Sequence, residues 1–240
     1  MTILVTGGAG YIGSHMVYEL LDRGETVVVL DRLSTGFDWA VAPGAELVVG
    51  DIGDQPMVER LIAERGVNSI IHFAGSVVVP DSVADPLEYY LNNTVRSRSL
   101  IAAAVAGGVD NFIFSSTAAV YGSPEAVPVT EAAPKAPESP YGASKLMTER
   151  MLEDVGHAHG LRYAILRYFN VAGADPDGRT GQSTRGATHL IKVACETALG
   201  KRDGMKVYGT DYPTEDGTCV RDYIHAVSYT HLRAHETKAN

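Results

Sequence analysis

The chain has 240 residues, of which 45% are hydrophobic and 20% charged, and its formal net charge at pH 7 is −9. This length suits one large domain, or one domain and part of another. The acidic balance argues against general binding to nucleic acid or to anionic membranes, because both need a basic surface.

The cysteine count and the start of the chain bear on where the protein works. Cys195 and Cys219 form no disulfide framework and suit a reducing compartment. Met1-Thr2 leads directly into a strand-like run, and no apolar run reaches the length that spans a membrane. We therefore expect a soluble, cytoplasmic protein.

Strand-like and helix-like segments alternate along the first 169 residues. The predicted strands are short apolar runs: Ile3–Thr6, Val27–Leu30, Leu47–Val49, Ser69–Phe73, Phe112–Ser115 and Tyr163–Arg167. The predicted helices between them are Tyr11–Arg23, Pro56–Glu64, Leu87–Ala106 and Tyr141–Ala158. This alternation indicates an α/β fold, a doubly wound parallel sheet of the Rossmann type that binds ligands at the carboxyl ends of its strands.

The pattern changes after Phe169. Asn170–Arg185 is rich in Gly, Asp and Thr and is typical of a long functional loop. A helix over Ala187–Leu199 and a short strand over Lys206–Tyr208 are predicted to come next. We interpret this part as the start of a smaller region that covers a substrate.

A glycine-rich turn follows the first predicted strand. Gly7 permits a tight turn, Gly10 lets backbone approach a pyrophosphate, and Gly13 lets the next helix pack closely on the strand. The helix that begins near Tyr11 and Ile12 presents free amides and a positive dipole end to phosphates. A lone match would be a weak signal, but here the strand, the helix and a downstream acid are all in place.

Acidic residues end the second and third predicted strands. Asp31 lies 18 residues after Gly13, where a carboxylate bonds ribose hydroxyls and repels a 2′-phosphate, which favours NAD over NADP. Arg32 argues the other way, since an arginine there can accommodate that phosphate. Asp51 is expected to bond the adenine amino group or, alternatively, only to cap the following turn. The remaining residues expected in the cofactor cleft are Leu33, Ser34, Thr35, Gly36, Ile52, Phe73, Ala74, Gly75 and Ser115.

Tyr141 and Lys145 lie four residues apart, which places them on one face of a helix. A lysine ammonium beside a phenol favours phenolate, so we expect the Tyr141 pKa to fall below its usual value of about 10. Tyr141 would then act as a catalytic base towards an alcohol that loses hydride, and Thr117 would bond and orient the reacting oxygen. The alternative is a surface Tyr and Lys, but Pro140 at the helix start and the upstream glycine loop favour the catalytic pair.

These motifs and the stretches around them are similar to those of the extended short-chain dehydrogenase/reductase family. The resemblance covers about residues 1–225, and its more specific stretches are 209–218 and 221–225. Within the family, the chain resembles the enzymes that epimerise UDP-hexoses at C4. The stretches shared more broadly are 6–15, 114–122 and 167–176.

The resemblance implies an activity: NAD-dependent interconversion of UDP-glucose and UDP-galactose through a transient 4-keto sugar. It implies that Asn92 and Phe169 lie near the nicotinamide. The substrate contacts that it implies, besides Thr117, are Asn170, His189, Leu190, Tyr208 and Arg221. Relatives commonly dimerise through the helices predicted here at Leu87–Ala106 and Tyr141–Ala158, so a homodimer is expected.

The resemblance also implies a domain organisation. Residues 1–169 form an NAD-binding domain and residues 170–225 part of a nucleotide-sugar region. We expect residues 226–240 to be a non-native tail, because they do not continue the pattern of relatives, which run on for roughly another hundred residues, a usual domain size. The histidines His225, His231 and His235 invite a metal site, but no carboxylate or cysteine geometry supports one, and a frayed tail is the favoured alternative.

Two positions depart from the pattern of the relatives. Val77 stands where a lysine often reaches the cofactor, and His189 stands where an asparagine is frequent. The alternative for His189 is a polar residue on the helix predicted over Ala187–Leu199.

Other functions remain open at the level of sequence. A related nucleotide-sugar 4,6-dehydratase needs proton-transferring residues after the active-site threonine, whereas this chain has Ala118-Ala119. Asp31 disfavours a net NADPH-dependent reductase. A truncated NAD-binding module with little activity is the alternative from a different class.

Overall fold

A six-stranded parallel sheet forms the centre of the computed structural model, which describes residues 1–228. Its strands are β1 (Thr2–Thr6), β2 (Thr26–Asp31), β3 (Glu46–Val49), β4 (Ser69–His72), β5 (Asn111–Ser115) and β6 (Arg162–Leu166). They lie in the order β3-β2-β1-β4-β5-β6. The order reverses between β1 and β4, which is the point where such sheets open a ligand crevice. The predicted doubly wound fold is therefore confirmed.

The α-helices of the described residues are α1 (Tyr11–Asp22), α2 (Gln55–Arg65), α3 (Val79–Ala84), α4 (Pro86–Tyr89), α5 (Arg96–Ala106), α6 (Pro140–His159) and α7 (Leu190–Ala198). Of these, α1 covers one face of the sheet, and α2, α5 and α6 cover the other. A π-helical segment, Tyr90–Val95, joins α4 to α5. The start of α6 is well specified, because Pro140 occupies its first turn and the Ser139 hydroxyl accepts a bond from the Gly142 amide at 3.2 Å.

Two apolar clusters hold these layers together. On one face, Leu4, Ile70 and Phe112 pack against side chains of α2, α5 and α6. On the other face, Val5 and Val29 pack against α1. Successive residues of a strand point to opposite faces, so strands that are buried on both sides read as continuous apolar runs. This is why the four inner strands, β1, β2, β4 and β5, are recognisable from sequence.

The region after β6 differs from the prediction. Asn170–Ala172 forms a short strand, β7, which pairs in parallel with β8 (Tyr223–His225), whereas a loop was predicted there. The predicted strand over Lys206–Tyr208 is wrong: these residues are not in a strand, and Tyr208 is 81% exposed. Helix α7 begins at Leu190, three residues later than predicted.

The structure also bears on the membrane and tail predictions. Among residues 1–228, no helix is long and apolar enough to cross a membrane. Of the expected non-native tail, residues 226–228 are helical with Ala226 buried, and residues 229–240, with His231 and His235, lie outside the described part. The nature of the tail stays a prediction.

Replacing Gly13 with alanine should unfold the start of α1. A Cβ there would lie 2.1 Å from the Gly7 carbonyl oxygen, which is backbone and cannot move aside. Alanine normally favours a helix over glycine by up to ~1 kcal/mol, but overpacking of this kind costs about 1–3 kcal/mol or more. We expect the clash to dominate and the free energy of unfolding in urea to fall by about 2 kcal/mol. Gly204→Ala is the control, since a Cβ at Gly204 meets nothing within 4 Å; equal stability of the two variants would contradict the packing argument.

Candidate active site

The glycine loop lies directly above β1, at the crevice of the sheet. Gly7 has a φ of 73°, and a Cβ on it would lie 2.6 Å from the Ala74 nitrogen, so only glycine fits there. The Gly10 amide donates to the Gly7 carbonyl at 3.1 Å and closes the turn. Gly10 is the N-cap residue of α1 and has no side chain that could bond the first amides of the helix. These amides are therefore left to donate to a ligand in the crevice.

Asp31 is fixed in orientation by the backbone. One carboxylate oxygen accepts a bond from the Ala9 amide at 3.0 Å and the other from the Leu33 amide at 2.8 Å. The second bond holds Leu33 at a φ of 58°, a left-handed conformation that costs leucine about 1–2 kcal/mol. Strain of this kind is typical of ligand sites. Asp31 keeps free lone pairs for the hydroxyls of a ribose.

Arg32, Asp51 and Asn92 form a polar cluster beside Asp31. Arg32 donates to Asp51 at 3.3 Å and to the Asn92 side-chain oxygen at 3.1 Å. Arg96 also pairs with Asp51 at 3.2 Å. Asp51 accepts from the Gly53 amide at 2.8 Å, which is the turn-capping role given as its alternative. The Arg32 guanidinium therefore already has two partners, although both contacts are partly exposed and weak.

The other predicted cofactor residues line the same crevice or support it. Gly36 packs on the glycine loop so closely that a Cβ would lie 2.7 Å from the Ala9 carbonyl oxygen. Thr35 lies beside Ala9 and Gly10, while Ser34 is exposed. The Ile52 side chain is buried in the core and does not line the crevice. Phe73 and Ala74 pack partly against the core from the end of β4.

Tyr141, Lys145 and Thr117 meet at the carboxyl end of β5. The Tyr141 phenol lies close enough to the Thr117 side chain for Thr117 to lower its pKa, and the Thr117 hydroxyl accepts a bond from the Ala119 amide at 3.2 Å. The Lys145 ammonium donates to the Ser115 carbonyl at 3.0 Å and lies 5.0 Å from the centroid of the Phe114 ring. The structure thus brings together the three predicted catalytic side chains and Ser115.

Burial controls the protonation of this pair. It raises the pKa of Tyr141 well above its usual value, and the nearby Thr117 hydroxyl offsets this only in part. Burial also lowers the pKa of Lys145 from 10.5 to about 8. The expected lowering of the Tyr141 pKa by Lys145 is therefore wrong for the protein without a ligand, because desolvation of the phenol dominates and the Lys145 ammonium is bonded to the Ser115 carbonyl.

A comparison with known families decides which class this site belongs to. The model of the NAD dependent epimerase/dehydratase family matches residues 3–235. The chain belongs to this family.

Individual members of the family are similar in sequence and in structure. The chain is 59% identical over 223 residues to the UDP-glucose 4-epimerase of Azospirillum brasilense, covering 93% of this chain and 64% of that protein. Crystal structures of UDP-glucose 4-epimerase from Brucella ovis with NAD and from Bifidobacterium longum with NAD⁺ and UDP superpose with TM-scores of 0.95 and 0.94, at 44% and 38% identity. These two matches include 100% and 99% of this chain and 74% of each crystallised chain.

The residues of this epimerase/dehydratase chain fit NAD. A side-chain-free N-cap at Gly10 leaves room and donors for a pyrophosphate, and oriented Asp31 offers acceptors to a ribose diol. Gly75 lies so close to α6 that a Cβ on Gly75 would be 3.5 Å from the Lys145 side-chain nitrogen. The crevice therefore runs from Asp31 past the glycine loop to Lys145.

The predicted substrate residues are less closely gathered. His189 caps the start of α7, and burial lowers its pKa. It lines a cleft of about 540 Å³ with Tyr11, Gln182 and Lys192. Leu190 is half exposed at the start of α7, and Phe169 is half exposed after β6.

Three further positions concern the same region. The Asn170 side chain donates to the Asp222 carbonyl at 3.1 Å. Tyr208 and Arg221 are exposed and do not line the cleft; the Arg221 guanidinium bonds the neighbouring Val220 carbonyl at 2.9 Å. The roles of all these residues stay predictions.

Two site residues were missed from sequence. Asn93, in the π-helical segment, holds the Ser76 amide at 2.7 Å and donates to the Ser144 hydroxyl at 3.1 Å, so it joins the end of β4 to α6. The Tyr168 phenol bonds the Ser115 hydroxyl. Paired asparagines inside an otherwise helical pattern were the available signal for Asn93, since π-turns cluster at functional sites.

The buried Lys145 should make stability depend on pH. Its folded pKa of about 8 lies below the usual 10.5, so between these values only the unfolded chain binds the proton. The free energy of unfolding should therefore rise with pH above 8, by up to about 1.4 kcal/mol per pH unit. Urea unfolding of wild type and Lys145→Met between pH 8 and 10 measures this as a widening difference between them. Lys206→Met, at an exposed lysine, is the control and should follow wild type; parallel wild-type and Lys145→Met curves would contradict the burial.

Proposed function

We propose that the protein catalyses the NAD-dependent 4-epimerisation of UDP-hexoses, with UDP-glucose and UDP-galactose as the substrate pair. The observation that carries this is the meeting of Tyr141, Lys145 and Thr117 at the carboxyl end of β5, beside a crevice that fits NAD. A phenol and a hydroxyl that lie close together are placed to bind a single sugar oxygen between them. The chain spans 64% of the length of the Azospirillum brasilense epimerase, so the activity of that protein supports the proposal by similarity.

The residues of the site divide the chemistry among them. NAD, when bound, supplies a hydride acceptor that can return the hydride to either face of the sugar carbon. Tyr141 takes the hydroxyl proton of the sugar and gives it back, and Thr117 orients the same oxygen. Lys145 places a positive charge beside Ser115, one helical turn from Tyr141, where it favours the phenolate. Because the proton and the hydride both return, no net redox change occurs.

The two residues after Thr117 disfavour elimination. Ala118 and Ala119 start a short helical turn, and neither side chain can transfer a proton. A 4,6-dehydratase needs an additional acid and base near the sugar. The remaining alternative, an NAD-binding module, differs from the proposal only in lacking turnover.

We infer that the protein forms a homodimer through α4, α5 and α6. Leu87, Leu91 and Val95 recur every four residues along the α4–α5 stretch and are 77%, 41% and 53% exposed. Met147 on α6 is also exposed. An apolar stripe on adjacent helices is typical of an interface. A cytoplasmic location is proposed as well, supported by Cys195 and Cys219, which form no disulfide.

Tyr141→Phe should abolish turnover and leave cofactor binding intact. The change removes only the hydroxyl that moves the proton, which lowers kcat by about 10²–10⁴-fold. Conversion of UDP-galactose to UDP-glucose measures activity, and absorbance of the bound nucleotide after denaturation measures NAD. Tyr163→Phe, at a partly exposed tyrosine of the edge strand β6, is the matched control. Unchanged turnover in Tyr141→Phe would exclude Tyr141 as the base.

Leu91→Glu should dissociate the dimer, because a charge at the centre of the stripe cannot be desolvated without a partner. Sedimentation velocity should show a dimer for wild type and a monomer for the variant. Val127→Glu, on an exposed loop, is the control. A monomeric wild type would refute the dimer proposal.

A further inference from the structure

Three residues on one face of α6 lie against three successive residues at the end of β5. Tyr141, Lys145 and Glu149 are spaced four apart and therefore form one stripe along the helix. Lys145 donates to the Ser115 carbonyl and Glu149 accepts from the Ser116 hydroxyl. Tyr141 lies close enough to the Thr117 side chain for Thr117 to lower the pKa of its phenol. Glu149 is the member of this stripe that has no part in the mechanism so far.

Glu149 is fully buried and held by an arginine. Its side chain is 0% exposed, and its two oxygens accept three bonds from Arg167 at 2.8, 3.0 and 3.1 Å. Lys135 lies 3.7 Å from the same carboxylate. This pairing raises the pKa of Arg167. A planar guanidinium that grips a carboxylate at several points fixes its orientation as well as its charge.

Arg167 in turn is anchored at the end of β6. It donates to the Tyr121 hydroxyl at 2.8 Å, and its guanidinium lies 5.3 Å from the centroid of that ring. The residue after it, Tyr168, accepts a bond from the Ala118 amide at 3.1 Å. The Glu149–Arg167 pair therefore joins α6 to the ends of both β5 and β6.

Stability alone is a weak reason to bury such a pair. Desolvation of two charges offsets most of their attraction, and well-packed apolar residues often replace a buried ion pair without loss. What apolar residues cannot replace is the bond from the Ser116 hydroxyl to a carboxylate of fixed orientation. Ser116 is 2% exposed and directly precedes Thr117, so its position sets that of the Thr117 hydroxyl.

We infer that Glu149 is a positioning residue: clamped by Arg167, it fixes Ser116 and so holds the Thr117 hydroxyl against Tyr141. Its effect on turnover rests on the proposed function, whereas its effect on the Thr117–Tyr141 contact does not. The competing view is that Glu149 and Arg167 only stabilise the fold.

The contact itself can be measured without an assay of activity. In protein labelled with [¹³Cζ]tyrosine, the signal of Tyr141, assigned by its loss in Tyr141→Phe, reports the surroundings of its phenol, including the nearby Thr117 hydroxyl. Ser116→Ala removes one hydroxyl and leaves the Glu149–Arg167 pair in place, so it should fold. Ser116→Ala and Glu149→Gln should both shift this signal. Glu153→Gln is the matched control, because Glu153 lies one turn further on α6 and also pairs with Lys135, at 3.3 Å.

Kinetics and stability then separate positioning from folding. Ser116→Ala and Glu149→Gln should lower kcat by about 10- to 100-fold with a nearly unchanged KM, the size expected for a displaced catalytic group. The double variant Glu149→Met/Arg167→Met should recover the urea midpoint lost in Glu149→Met but not its kcat. Glu153→Gln should keep wild-type kcat.

The outcomes are distinct. A shifted Tyr141 signal in Ser116→Ala supports the inference even if wild type shows no turnover, in which case the proposed function alone fails. A Tyr141 signal that matches wild type in both single variants overturns the inference, whatever the turnover. Recovery of kcat together with stability in the double variant also overturns it, since the pair would then be structural only.

Discussion

The burial of two opposite charges from α6 at the end of β5 is the constraint on which the site depends. A buried charge is costly unless it is paired and hydrogen-bonded. Glu149 is paired several times over with Arg167, so its position is fixed. Lys145 has one carbonyl at 3.0 Å and an aromatic ring, and its pKa falls to about 8. The helix thus carries one charge that is fixed by an opposite charge and one that has no carboxylate partner among the described residues.

Close backbone approach governs the other end of the crevice. Gly7 faces Ala74, Gly13 faces Gly7, and Gly36 faces Ala9, each at distances that exclude a side chain. The same is true at the catalytic end, where a Cβ on Gly142 would lie 2.7 Å from the Ala119 carbonyl oxygen. These contacts bring β1, β4 and α6 close enough for one extended ligand to touch all of them. Because these glycines carry no side chains, the crevice between the elements has room for a ligand.

The sequence predicted the sheet well because its four inner strands are buried on both faces and its ligand motifs follow strand ends. Asp31 and the Tyr141–Lys145 pair were found because their spacing has a geometric meaning. Residues 170–225 were predicted poorly because β7 and β8 are three residues each and pair across about fifty residues of chain, which no local pattern reveals. The Tyr141 pKa was misjudged because burial depends on the whole fold. Glu149 was overlooked because its role depends on Arg167, whose proximity follows only from the pairing of β5 and β6.

In the proposed mechanism a hydride, and not a proton, leaves C4 of the sugar and returns to the same carbon beside Tyr141. Incubation with UDP-galactose that carries tritium at C4 tests it most directly. If hydride transfer occurs, the UDP-glucose formed retains the tritium at C4 and no tritium appears in water. Release of tritium into water in step with conversion would contradict it, because it would show that the C4 hydrogen leaves as a proton.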